Sequence, residues 1–188
     1  VARSHSRVWF LDYQTTPFAF GNRAGEWMRE YYGIAASETF GYARLTLFAR
    51  PSSAIAFGKS VKFSNGIGLR WRGLTTQAIP GDVLALEIMW RAPLEPVDAY
   101  QVFMHLMDEN GVLWVGRDGG PVNDLRPTVS WQRAESVRSQ HALLLPLDLP
   151  DGEYQLHVGM YSLEHGTRLL TSAGDDSVLI GLVRVSLP

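Results

Sequence analysis

The sequence predicts a mainly β protein: an antiparallel β-sandwich of the jelly-roll kind, preceded by a small N-terminal strand-helix-strand segment. Three observations carry this. From about residue 55 onward, short apolar runs recur with turn signals between them. Helical spacing is confined to one stretch near the N-terminus. Turn chemistry stands between the runs: Pro80-Gly81-Asp82, Asn110-Gly111 and Pro150-Asp151-Gly152. Seven or eight short strands with almost no helix suit a sandwich. The 188 residues suffice for one core, or one core with a small addition, and an apolar content of 46% is too high for disorder.

The elements follow in order. Residues 8–11, VWFL, read as a short buried strand. Residues 22–33 read as a helix, with Asn22 as N-cap and Gly33 as a left-handed stop. Ala24, Trp27, Met28 and Tyr31 fall at i, i+3, i+4 and i+7, so they lie on one helical face. Residues 43–50 read as a strand closed by Pro51, expected to pair in parallel with VWFL across the helix. The chain therefore divides into residues 1–54, a strand-helix-strand segment, and residues 55–188, the sandwich. Sandwich strands are expected at 67–73, 83–92, 100–108, 112–118, 135–147, 153–161, 168–172 and 178–187, with a long loop at 119–131. Strands 83–90 and 100–107 are apolar on both faces, so both should be central.

Composition narrows the function classes. A net charge of −2 and the lack of a basic run argue against nucleic acid as a partner. With no cysteine, disulfides, zinc thiolates and cysteine nucleophiles are excluded. No apolar run has the length of a membrane helix, and no signal peptide is evident. The first residue is Val1, and a processed form or an excised fragment is expected. Nucleophile-elbow, phosphate-loop, dinucleotide and zinc-protease motifs are all missing.

Few residues offer chemistry. His105, with Asp118 or Asp108 on neighbouring hairpin arms, could form an acid–base pair of a jelly-roll hydrolase. The plainer reading is a core-edge histidine bonded to a neighbour, since no nucleophile stands at a telling spacing. His141 and His157 also fall in strands, too far apart in sequence to suggest a metal cluster. Asp175-Asp176 could join a structural calcium site, yet the pair lacks the spaced oxygens of a calcium loop and reads better as a solvated turn. The six tryptophans are many for this length. Most belong in a core, but Trp114 and Trp131 are candidates for flat platforms under a sugar ring, with Trp131 the strongest candidate for exposure.

One run of motifs has a wider echo. PGDVLALEIMW (80–90), YQVFMHLMDENG (100–111), the turn at Arg117-Asp118-Gly119 and Pro121, RPTVSW (126–131) and DLPDGEYQLHVGMYSLEHGTRL (148–169) follow in that order. This resembles the soluble β-sandwich at the C-terminal end of bacterial membrane glycosyltransferases of family 39, relatives of the dolichyl-phosphate-mannose–protein mannosyltransferases. The N-terminal segment resembles the stretch linking their last membrane helix to the sandwich. The resemblance covers most of the chain from about residue 7. It implies an extracytoplasmic accessory domain, at the membrane as part of a multi-pass protein. Its partners would be the membrane-embedded catalytic portion of the same chain and a glycan or lipid-linked sugar. The family's catalytic carboxylate lies in a region absent here, so no catalytic residue carries over and the isolated domain is expected to transfer no sugar. Where relatives have Pro-Gly-Glu after Trp-Gln, this chain has Arg133-Ala134-Glu135, which implies a looser turn. The alternative is a free-standing carbohydrate-binding or adhesion-type module.

Overall fold

The computed structural model describes residues 5–13, 23–51, 57–92 and 98–187. Its elements are β1 (Arg7–Tyr13), α1 (Arg23–Tyr31), β2 (Gly33–Phe40), β3 (Ala43–Ala49), β4 (Val61–Lys62), β5 (Gly68–Arg72), β6 (Gln77–Ala78), β7 (Val83–Ala92), β8 (Tyr100–Met107), β9 (Leu113–Gly119), β10 (Glu135–Leu144), β11 (Gly152–Ser162) and β12 (Val178–Val185). Nearly all the expected strands are present. The exception is 168–172, where only isolated bridges at Arg168 and Thr171 form. The division expected at 54/55 and the Asn22 cap lie outside the described residues.

Two sheets make the sandwich. One has the order β10-β7-β5-β4 and the other β6-β12-β11-β8-β9. As expected, β7 and β8 are interior strands. Leu84, Leu86, Ile88 and Trp90 of β7 meet Val102, Met104, Leu106, Leu156 and Val158 of the facing sheet in one core. Neighbouring pairs are antiparallel except the short parallel pair β6–β12.

A third layer covers part of the outer face of the four-stranded sheet. It is a three-stranded sheet of order β1-β3-β2, with α1 against one side. The expected parallel pairing of β1 with β3 is wrong: they are antiparallel, with Arg7 opposite Ala49. The strand β2, which the sequence reading missed, explains this. Helix α1 crosses over from β1 to β2, and β3 returns by a hairpin to lie between them. The strands joined across the helix therefore do run the same way, but they are not neighbours.

Small residues let the layers touch. Ala35, Leu47 and Ala49 pack on Val83, Ala85 and Ala142 of the sandwich. Gly33 sits so close to β10 that a Cβ there would lie 2.5 Å from the His141 carbonyl carbon. Gly33 is thus the first residue of β2, chosen for close approach, and not the left-handed helix stop that was expected. The helix ends on another device. The Asn123 side-chain amide donates to the carbonyl oxygens of Arg29 and Tyr32, both at 2.7 Å, and its oxygen accepts from the Ile34 amide at 3.4 Å. Asn123 belongs to the loop after β9, where Val122, Asn123 and Asp124 have φ of 56°, 50° and 70°. Three consecutive non-glycine residues in the left-handed region are strained. The turn is held by bonds from the Val122 amide to Ser139 Oγ at 3.0 Å and from the Gly120 amide to Asp124 Oδ1 at 2.7 Å.

The turn at Arg133-Ala134-Glu135 is not loose. Ala134 takes φ 57°, a conformation that glycine adopts more readily. The Glu135 side chain closes the turn, accepting from the Gln132 amide at 2.9 Å and from Arg126 at 2.6 Å. These bonds, the Gln132 amide first and then Arg126, hold the Glu135 carboxyl below its ordinary range.

Candidate functional site

The residues singled out from the sequence do not form one site. Trp131 is not an exposed platform. It is 2% exposed, its ring lies 6.4 Å from that of Trp90, and its indole N–H donates to the Arg126 carbonyl at 3.0 Å. The long loop folds back over the sandwich and takes its tryptophan into the core. Trp114 is 39% exposed on β9, tied to Asp108 through its indole N–H at 3.3 Å and set edge-on to Tyr154.

His105 and Asp118 do meet, at 3.3 Å on the outer face of the five-stranded sheet. The imidazole fits over Gly116 of β9, where a Cβ would come within 2.7 Å of it, and lies against Phe103 at 4.6 Å. Asp108 plays no part there. Its carboxylate accepts from the amides of Asn110 and Val112, both at 2.9 Å, and shapes the hairpin turn. Asp176, the calcium candidate, binds Arg168 at 2.6 Å, and no group of three or more metal-binding side chains occurs among the described residues.

His141 is closed in differently. Its ring stands edge-on to Trp90 and pairs with Ser139 Oγ at 2.7 Å. Burial, and secondarily the nearby Arg117 charge, push its pKa down to about 4. The fold therefore holds this imidazole neutral, whereas the unfolded chain takes up a proton below the ordinary value of about 6.5. Stability present at pH 7 is expected to fall as pH drops from about 6.5 to about 4. A shift of this size corresponds to roughly 3 kcal/mol for a sealed ring, and the intermediate exposure of the residue reduces the expected loss to about 2 kcal/mol. Urea unfolding at pH 7, 5.5 and 4 checks this against His141→Asn, whose stability should change less across the window; equal slopes would refute it.

The site that the sequence reading missed lies on the other side of the molecule. Along the outer face of the four-stranded sheet, register places Arg72 opposite Glu87 and Glu87 opposite Gln140. Glu87 is 7% exposed, and its carboxylate accepts from Arg72 Nε at 3.0 Å and from Gln140 Nε2 at 2.8 Å. Arg138, one turn of the pleat along β10, reaches the same carboxylate at 3.3 Å. Two residues away in the other direction are Ala85 and Ala142, where the third layer packs. Beyond those alanines the layer lifts off and a cleft of about 1090 Å³ opens over the polar row. Its opposite wall is α1, presenting Trp27 and Tyr31 with ring centroids 5.3 Å apart. Both belong to the helical face read from the spacing, Trp27 packing partly against the cluster of Met28, Tyr32 and Phe48 and Tyr31 being exposed. Only Met28 of that face is buried, and the helix is anchored instead by the fully buried Tyr32 that follows it. Val122 of the left-handed turn, with Leu125 and Arg126 just after it, lines the cleft as well.

No protein-family model matches the chain, and no curated protein matches it. Among solved structures, the chain is similar to the C-terminal domain of wzt, at 15% identity over 73% of this chain and 80% of that one, with a TM-score of 0.44. It is also similar to a family 123 glycoside hydrolase from Clostridium perfringens, studied for glycolipid glycan hydrolysis. That match is 11% identical over 59% of this chain and 21% of that one, with a TM-score of 0.30. Likenesses this distant carry no functional argument. The reading of the cleft rests on its own chemistry: paired carboxylate, amide and guanidinium groups at the floor and two adjacent aromatic rings, tilted 34° to each other, on one wall. No helix of the described residues is long and apolar enough to cross a membrane.

Proposed function

We propose that this chain is an extracytoplasmic accessory domain of a membrane glycosyltransferase that uses a lipid-linked sugar donor, and that its cleft holds a sugar. One observation carries the sugar reading: the Arg72-Glu87-Gln140 row faces an aromatic wall across an open cleft. Sugar hydroxyls both donate and accept, and mixed carboxylate, amide and guanidinium groups match that pattern. The apolar face of a sugar ring lies well on aromatic side chains. The motif order from residue 80 to residue 169 supports the assignment to a transferase. In the full protein the domain would stand beside the membrane-embedded portion, away from the cytoplasm, and hold or position a glycan there.

The test is a two-dimensional NMR titration of the purified chain with glucose, mannose and their disaccharides. The Trp27 indole resonance is expected to shift while that of Trp114 stays still. Shifts at Trp114 alone, or none at all, would remove the sugar reading of the cleft. The transferase assignment is decided separately, by the hydropathy of the reading frame upstream of Val1: many membrane-length segments support it, and a lone signal peptide would favour a free-standing carbohydrate-binding module.

A further inference from the structure

The charges around the cleft say more about its occupant. The two walls are unlike. On the sandwich side stand Arg72 and Arg138, with Glu87 as the carboxylate between them, and Arg126, which is paired with Glu135 at 2.6 Å. On the helix side stand Glu26 and Glu30 with Arg23. Glu87 is shared: Arg72 Nη2 lies 2.8 Å and Arg138 Nε 3.3 Å from the same oxygen. A single carboxylate facing two guanidiniums leaves an excess positive charge at the floor. That excess is strengthened where the cleft walls exclude part of the solvent. The floor also asks for a donor. Gln140 is 7% exposed, its amide N–H is spent on Glu87, and its Oε1 has no hydrogen-bond partner. A buried acceptor left unpaired is costly, and a donor that reaches it recovers that cost.

Two demands therefore coexist. The guanidiniums favour an anionic group, whose planar or tetrahedral oxygens they bind in a fork. Glu87 and Gln140 favour hydroxyl donors and would repel or ignore a bare anion. Trp27 and Tyr31 favour a ring with an apolar face. Resting on the reading of the cleft as a sugar site, the geometry points to an anionic sugar, one bearing a carboxylate or phosphate beside its hydroxyls. Its charge would lie against the sandwich wall, because Glu26 and Glu30 repel it from the helix wall.

The test uses the whole chain and four probes: glucose, glucuronate, glucose 1-phosphate and inorganic phosphate, followed through the Trp27 indole resonance. At low salt at least one of the charged sugars is expected to bind about tenfold more tightly than glucose, with the gap narrowing as salt is added. Arg138→Gln, a change at a largely exposed side chain, should bring that charged sugar to the affinity of glucose, and Arg138→Met serves as a second variant should Arg138→Gln misfold. Glucose binding as tightly as both charged sugars would overturn the inference and leave the sugar cleft standing. Inorganic phosphate binding as tightly as glucose 1-phosphate would overturn it too, since a bare anion would then suffice. If no probe moves the Trp27 resonance, the inference and the sugar reading fall together.

Discussion

Replacing Glu87 with alanine is expected to destabilise the protein by about 3–4 kcal/mol, the range for breaking a largely buried ion pair from one side. The reason is what stays behind. Arg72, whose side chain is 23% exposed, loses its carboxylate. Gln140 loses the acceptor for its amide N–H and becomes unpaired at both ends. Arg138 loses least, because its side chain is 59% exposed and water replaces the contact. Glu87→Gln keeps the shape and one acceptor oxygen, so its cost should be about half as large. Urea unfolding of the two variants checks the ordering. A loss below about 1 kcal/mol for Glu87→Ala would mean that water already screens the row, and the cleft floor would then be no fixed platform.

Asn123→Ala is expected to cost about 3 kcal/mol, from three lost hydrogen bonds at roughly 1 kcal/mol or less each and a further contribution for alanine held left-handed. The bonds concerned reach Arg29, Tyr32 and Ile34, so the loss should be local to the third layer. Hydrogen exchange should quicken at Tyr32 and in β2, while the β7 and β8 amides keep their protection. Asn123→Gly separates the causes: it relieves the backbone but forfeits the side-chain bonds, so it should fall between wild type and alanine. Uniform loss of protection through β7 and β8 would show instead that the third layer and sandwich unfold as one unit.

The sandwich was legible because each of its strands carries its own signal. In VLALEIMWRA the inward residues Leu84, Leu86, Ile88 and Trp90 repeat at period two, and the turn at Pro80-Gly81-Asp82 marks where the strand starts. The run is apolar on its other face at Val83 and Ala85 because a third layer covers it there. The strand β2 left no comparable trace. Its sequence, GIAASETF, is built of small and polar residues, and the bulge between Ile34 and Ala36 breaks the alternation. Small residues at that position serve contact between layers, which no local pattern announces. The helix face was read as a face, but its surroundings were not, since spacing tells which residues align and not what they look upon. The cleft was illegible for a further reason. Its groups come from residues 27 to 31, 72, 87 and 138 to 140, and only the register of three strands brings them together. Glu87, flanked by Leu86 and Ile88, looks in sequence like any residue on a solvated face.

The left-handed turn at residues 122–124 also sets an order of events during synthesis. Its backbone is unfavourable alone and persists because Ser139 and the end of α1 hold it. Helix α1, in turn, has its last carbonyls bound by Asn123, a residue made more than ninety positions later. The strands beneath, β2 and β3, bury their small side chains on Ala142, which comes later still. A ribosome releasing this chain from its N-terminus would therefore expose the first fifty residues well before their partners exist. That first portion must wait, unfinished, until the sandwich has been translated and can receive it.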